Sequence, residues 1–267
     1  MSIWALTMCS ILGIGVSRIT SAQLRLSQRL EARLVSQYAA QAAVRHAWAM
    51  RQVDETPYET LQELRTAQEQ ELGRGMFRYT MMDEERRIPL NKAPQDVLAR
   101  VPWLTMDAAV AITSSKLRPF HAIEELRLVE GVTEEMCEQA KDFLTVYGTG
   151  TVNINTAPPD VLRALGLDDN LVELIMRFRA GPDSQEGTAD DGVFKDAGEI
   201  ANTLRSYTGL FAAQEAELVR ASTQGLLGVK STALALHIET RVLGKPAMTY
   251  RVLLDATEEK IKRWSEG

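Results

Sequence analysis

The sequence predicts an α+β fold: one long N-terminal helix laid on a small antiparallel sheet, with a pair of helical repeats inserted between the strands of that sheet. Three observations carry the prediction. From Val16 to Thr56 the chain contains neither glycine nor proline, so nothing in that stretch breaks a helix. One motif occurs twice, as Ile88–Leu98 and Val152–Leu162, with Asn, Ala, Pro, Asp, Val and Leu shared in ungapped register. An internal repeat of this kind sets the domain plan. Strand-like segments flank the repeats, over 76–82 before them and 231–254 after them.

The helix opens on Ile3–Val16, an apolar run without charge. At ~1.5 Å per residue it covers roughly 21 Å, short of the ~30 Å hydrocarbon core of a bilayer. Beyond it Leu26, Leu30, Leu34 and Tyr38 fall four apart. Ala40, Ala43, Val44 and Ala47 read as the same apolar face continued, with Arg18, Arg25, Arg29, Arg33 and Arg45 around it. The pattern is an amphipathic helix ending near Val53. Its first half needs a membrane or filament around it and its second half a domain to pack on. Glu55–Glu71 is expected to form a second amphipathic helix closed by Gly73 and Gly75. Met76–Met82 reads as a strand, and Asp83–Arg87 as a solvated turn with self-compensating charges.

Each copy of the repeated motif reads as a strand running into a helix. Thr156 or Ala157 stands where a cap is needed, and a proline falls near the first helical position, where its missing N–H costs nothing. Asp160 then lies in the first turn, favourably placed against the helix dipole. The candidate motif residues are Asn91, Ala93 and Pro94 in the first copy and Asn155, Ala157 and Pro158 in the second. A helix over Met106–Ser115 corresponds to one over Leu171–Ala180. Phe120, Glu125 and Leu126 correspond to Phe194, Glu199 and Ile200 once the second copy is given an extra loop near Gly181–Asp190. Each copy ends in a third helical segment, Glu134–Phe143 and Ala212–Ala221. Helices this short are held by packing.

The expected organisation is therefore a long helix over 1–54, repeats over 88–147 and 148–224, and a discontinuous α/β unit over 55–87 and 225–267. In the last part Ser231–Thr240 and Thr249–Leu254 make a hairpin turning at Leu243–Pro246.

With 45% hydrophobic and 25% charged residues in 267, the chain can bury a real core. A net charge of −6 speaks against a protein built to neutralise a phosphate backbone. Cys9 and Cys137 lie in different contexts and read as buried thiols rather than a bridge. His46, His121 and His237 are scattered over three segments, and no metalloprotease, nucleophile-elbow or phosphate-loop motif is present, so no enzyme is expected. Trp48, Trp103 and Trp264 read as packing or interface residues. The loop Gly181–Gly192 carries Asp183, Glu186, Asp190 and Asp191 among turn-forming residues. It is a candidate calcium site, since that ion takes about six to eight oxygen ligands, although the spacing is not that of an EF-hand. No other cofactor is called for.

The stretches Asp83–Asn91, Val152–Pro159, Ser206–Leu210 and the Ser231–Leu254 hairpin resemble minor pseudopilin K of the bacterial type II secretion system, the general secretion pathway protein K family. The resemblance covers essentially the whole chain. It implies a pilin-like α/β domain with a hydrophobic N-terminal helix and a large helical insertion whose repeats are SAM-like or helix-hairpin-helix-like. It also implies a role without catalysis: a single-pass anchor in the bacterial inner membrane, a globular part in the periplasm, and a place at the tip of a short filament. There it joins the I and J minor pseudopilins and the major pseudopilin, priming filament assembly and helping folded proteins through the outer membrane. Some relatives in that family hold calcium in this helical region. Family precursors carry a short basic leader ending in glycine before the apolar helix. This chain begins Met1-Ser2-Ile3-Trp4, and the expectation is that the true start lies upstream. Partner surfaces are expected on the long helix and the sheet edge.

The alternative reading is a helix-hairpin-helix DNA-binding protein, because such units present backbone N–H groups to phosphate from a glycine-rich turn. The candidate turns, Val101–Thr105, Val129–Thr133 and Leu165–Asp169, lack the double glycine, and two carry acids. A protein-interaction module is the preferred use of the repeats, and no nucleic acid is expected.

Overall fold

A computed structural model describes residues 2–267, with the backbone alone at residues 2–3, 5–7, 9–13 and 15. Most side chains of the apolar run 3–16, and that of Cys9, thus lie outside the described residues. Helix α1 spans Ser2–Val53, about 78 Å at the usual rise. Every residue from Val16 to Glu31 is exposed, and burial begins only where the helix meets the sheet.

The sequence pattern merged two stripes of α1 that the structure separates. Ala39, Ala40, Ala43, Val44 and Ala47 are buried, whereas Leu26, Leu30, Leu34 and Tyr38 are exposed, Tyr38 at 69%. A four-residue step advances roughly 40° around a helix with ~3.6 residues per turn, so a stripe built of such steps walks away from the buried face.

Glu55–Glu71 is not one helix. Thr60 caps a single turn by accepting a hydrogen bond from Glu63 N at 3.1 Å, and α2 covers only Leu61–Arg65. The chain then turns extended, and β1 (Gln68–Leu72) pairs antiparallel with β2 (Gly75–Asp83), Gln68 opposite Tyr79. A polar segment this short has little helix preference to set against a row of ladder hydrogen bonds. A Cβ on Gly75 would lie 2.8 Å from Val35 Cγ1, so α1 can cross the start of β2 this closely only because a glycine stands there.

The helical module follows. The first repeat runs from β3 (Ile88–Pro89) through α3 (Gln95–Leu98), α4 (Met106–Ser114) and α5 (Glu134–Ala140) to β4 (Leu144–Thr145), which pairs parallel with β3. The second runs from β5 (Val152–Asn153) through α6 (Pro159–Ala164), α7 (Asp169–Arg179), α8 (Ile200–Thr208) and α9 (Ala212–Thr223) to β6 (Leu227–Gly228), parallel to β5. Each repeat is closed on itself by a two-residue parallel bridge. The two are not separate bundles, however: Leu98, Leu126, Ile154, Leu171 and Phe194 belong to one continuous core. The helix caps are also displaced from the expected positions. Pro94 and Pro158 themselves occupy the N-cap, without a side-chain hydrogen bond, and the Thr156 hydroxyl is engaged elsewhere.

The chain returns to the sheet as β7 (Ala233–Val242), β8 (Lys245–Asp255) and an unexpected β9 (Lys260–Glu266). All pairs are antiparallel in the order β1-β2-β7-β8-β9, so neighbouring strands β2 and β7 are separated in sequence by the whole helical module. A second core joins the alanine face of α1 to Phe77, Tyr79, Ile238, Tyr250 and Val252. Polar contacts set the helix on the sheet: Ser36 Oγ lies 2.5 Å from Thr240 Oγ1 and 3.0 Å from Tyr250 OH, and His46 Nδ1 lies 2.9 Å from Tyr79 OH.

Candidate functional site

The repeated motif builds the same clamp twice. Asn91 Nδ2 donates to Phe120 O at 2.8 Å while Phe120 N donates to Asn91 Oδ1 at 2.7 Å. Asn155 does the same with Phe194, at 2.8 and 2.9 Å. The asparagine of each strand-to-helix junction thus holds both backbone groups of the matching phenylalanine. A third member went unnoticed in the sequence. Arg118 Nη2 donates to the carbonyls of Leu90 and Ala93, both at 3.0 Å. Arg179 Nη1 donates to the equivalent carbonyls of Ile154 and Ala157, at 3.2 and 2.6 Å. Arg118 stands two residues before Phe120 and Arg179 fifteen before Phe194, and the difference is the extra loop of the second copy. The loop after Arg179 is not enough to expose the match, because Arg179 ends α7 whereas Arg118 lies beyond the end of α4, so a second gap of opposite sign is needed. Ala93 and Ala157 are buried against the shared core.

The charged turn at 83–87 is not solvated. Asp83 and Glu85 are both buried, at 1% and 0% exposure, and together they join the helical module to the sheet. Asp83 Oδ2 accepts from Asn153 Nδ2 at 2.9 Å and from Thr156 Oγ1 at 2.5 Å, and Asp83 Oδ1 accepts from Glu85 N at 2.7 Å. Glu85 accepts from the backbone and hydroxyl of Thr149, between the repeats, and from Thr232 N, 2.5 Å away at the entry to β7. Burial pushes the Asp83 carboxyl up to about 6, against the opposing pull of its Ser231 and Thr156 hydrogen bonds. A signal for this was available. Phe77, Tyr79, Met81 and Asp83 alternate at period two, and the first two face α1. The strand carries Asp83 to the inward side, whatever its charge.

The four carboxylates of the acidic loop do not form a cage. Glu186 Oε1 pairs with the Arg179 guanidinium at 2.7 Å. Asp191 accepts from Gly187 N at 2.7 Å and Thr188 N at 3.2 Å. Asp190 accepts from Thr188 Oγ1 at 2.7 Å and Asp183 N at 3.3 Å, and Asp183 accepts from Gln185 N at 2.8 Å. Among the described residues no group of three or more His, Cys, Asp or Glu side chains is placed to hold a metal ion. The loop wraps Arg179, whose guanidinium burial pulls below its ordinary value while Glu186 opposes the shift.

The helix-hairpin turns point away from phosphate binding. Trp103 stands at φ 70 where the second repeat has Gly166 at φ 90, and the Asp168 carboxylate accepts from Leu171 N at 2.6 Å, occupying the start of α7. Trp103 is 65% exposed, while Trp48 and Trp264 pack against the α1–sheet core. His46 belongs to that interface, and His237 lies exposed on the opposite face of the sheet. Cys137 is a buried free thiol. Leu26, Leu30, Leu34 and Tyr38 form an exposed apolar stripe along α1. A helix that leaves its domain with such a stripe exposed is built to be covered by another chain or by lipid.

The fold is pilin-like, a long N-terminal helix on an antiparallel sheet with a helical module inserted between two neighbouring strands. It matches one chain in the crystal structure of the GspK-GspI-GspJ complex from the type 2 secretion system of enterotoxigenic Escherichia coli. The match covers 93% of this chain and 99% of that one, with a TM-score of 0.59 at 15% sequence identity. No protein-family model matches the sequence, and no curated protein matches it.

Proposed function

We propose that the protein is a K-type minor pseudopilin of a type II secretion system, acting at the filament tip without catalytic activity. The observation that carries this reading is α1: exposed throughout Val16–Glu31, then seated by an alanine face on the sheet. The likeness to a solved chain over nearly its full length supports it. In this reading the exposed stripe packs against the helices of I- and J-type minor pseudopilins, the major pseudopilin extends the filament below, and the helical module sits above. Its size favours a tip position, because a subunit within the filament has neighbours above and below. The reading places the globular part in the periplasm and the start of α1 at the inner membrane. No helix among the described residues is long and apolar enough to cross a membrane.

Co-expression tests the proposal. The tagged chain, produced with the I- and J-type minor pseudopilins of its own genome, is expected to elute with both as one species by size exclusion. Leu30→Asp with Leu34→Asp should abolish that species while leaving the far-UV circular dichroism unchanged. If the wild-type chain elutes alone from both partners, the reading fails.

A further inference from the structure

The helical module overhangs the face of the sheet opposite α1 and leaves a groove beneath it. A cavity of about 540 Å³ lies between α2, β2 and β7, and a second of about 360 Å³ continues toward β9. Glu84, Arg87, Ala235 and Arg251 line both, so the two adjoin. Arg86 projects into the first and Arg263 lines the second. On a chain of net charge −6, this groove has cations to spare. Arg87 is paired with Glu84 at 2.8 Å and Lys141 with Glu124 at 3.5 Å, and the Asp83 carboxylate is taken up by its own donors. Among the described residues, the side chains of Arg86, Arg251 and Arg263 make no direct hydrogen bond or ion pair, although Asp83 and Glu84 act on Arg86, and Glu124 on Arg263, from a greater distance. Arg86 is half-buried, and that burial together with the neighbouring Arg87 holds its guanidinium below the ordinary value.

Register sets the spacing of the other two. Arg251 faces His237 on β7, and Leu253 faces Arg263 on β9, so Arg251 and Arg263 are diagonal neighbours roughly 7–8 Å apart. Between them and Arg86 the floor is apolar, with Ala235 and Leu253. A half-buried guanidinium without a partner is a bidentate carboxylate receptor waiting for its anion. Cations spaced along a groove with an apolar floor suit an extended chain better than one small ion. Glu84, Glu124 and Asp142 divide the groove's positive surface into separate sites, which suits spaced carboxylate side chains better than the evenly charged backbone of a nucleic acid.

We propose that this groove docks an extended acidic segment of a partner protein, with carboxylates meeting Arg86, Arg251 and Arg263 in turn. The proposal stands independently of the secretion role. The test uses the full chain and a fluorescein-labelled decapeptide of alternating Glu and Asp, with the Gln and Asn peptide as its control. The acidic peptide should bind and weaken as salt is raised, and the control peptide should not bind. Arg86→Gln with Arg251→Gln should weaken binding at least about tenfold, two partly exposed charge pairs acting together. Arg78→Gln, on the same sheet face outside the groove, should stay within about twofold. Arg86 makes no hydrogen bond that folding would miss, and unfolding temperatures of the variants verify this. No binding, equal binding of the control peptide, or an unweakened double variant overturns the proposal. So does complete displacement by millimolar inorganic phosphate, which marks a small-anion site, or tighter binding of a single-stranded oligonucleotide.

Discussion

Replacing Asn155 by alanine removes both partners of the Phe194 backbone at once. Asn155 is 4% exposed and Phe194 is 0% exposed, so water cannot take over the freed N–H and C=O. Each buried backbone group left unpaired costs about 1–3 kcal/mol, which puts Asn155→Ala at about 2–6 kcal/mol. Asn91 makes the same two bonds in the first repeat, but it is only half-buried. Solvent can there replace part of the loss, and Asn91→Ala should cost about 1–2 kcal/mol. Urea unfolding of the purified chain, followed by circular dichroism and by tryptophan fluorescence, measures both. The order of the two variants is the sharper reading, because it depends on burial alone and not on the absolute scale. An Asn155→Ala variant within about 1 kcal/mol of the parent, or an Asn91→Ala variant losing more than it, would refute the clamp as the determinant of the junction.

Three further outcomes follow from the same geometry. The folded state holds the Asp83 carboxyl at about 6, above its ordinary 3.8, and so binds more protons than the unfolded chain between those values. The Asp83 contribution to stability should therefore be full below the ordinary value and be lost as pH rises through about 6, by on the order of 2–3 kcal/mol; Asp83→Asn should remove that part of the slope in urea titrations run at several pH values and leave the part set by buried Glu59, which is raised to about 7. At the paired turns, Trp103→Gly should change stability by less than about 1 kcal/mol, because relief of a left-handed residue offsets the lost contacts and chain entropy. Gly166→Val should lose about 2 kcal/mol or more, since it puts a β-branched residue at φ 90 with its Cβ 3.0 Å from Arg100. Calorimetric titration with calcium should show no binding below about millimolar, because Glu186 is held by Arg179 and the remaining carboxylates by their own turn; heat at micromolar concentrations would mean that the loop rearranges around the ion.

Much of this was legible in the chain alone. The absence of glycine and proline over 16–56 dictates a continuous helix. The repeated Asn-x-Ala-Pro motif marks both strand-to-helix junctions, and the match of Phe120 with Phe194 identified the residues that the two asparagines hold. These are local patterns, in which neighbours in sequence are neighbours in space. The stretch after Pro57 was misread for the opposite reason. Its residues carry helix-compatible side chains, and only the presence of β2 across a tight turn makes Gln68–Leu72 a strand.

The sequence by itself determined the long helix, the strands β2, β7 and β8 and the duplicated strand-to-helix junctions, because helix periodicity, proline and glycine placement and motif register act within a few residues; β1 and β9 exist only through the strands they pair with. Only the tertiary structure decided where charge is buried and which apolar stripe is covered. Asp83 and Glu85 look like any charged turn until Asn153, Thr156, Thr149 and Thr232, distant in the chain, converge to satisfy them. Leu26, Leu30, Leu34 and Tyr38 look like a core face until the sheet selects the alanines instead. Burial is a property of what lies opposite a residue, and that partner is set by the fold.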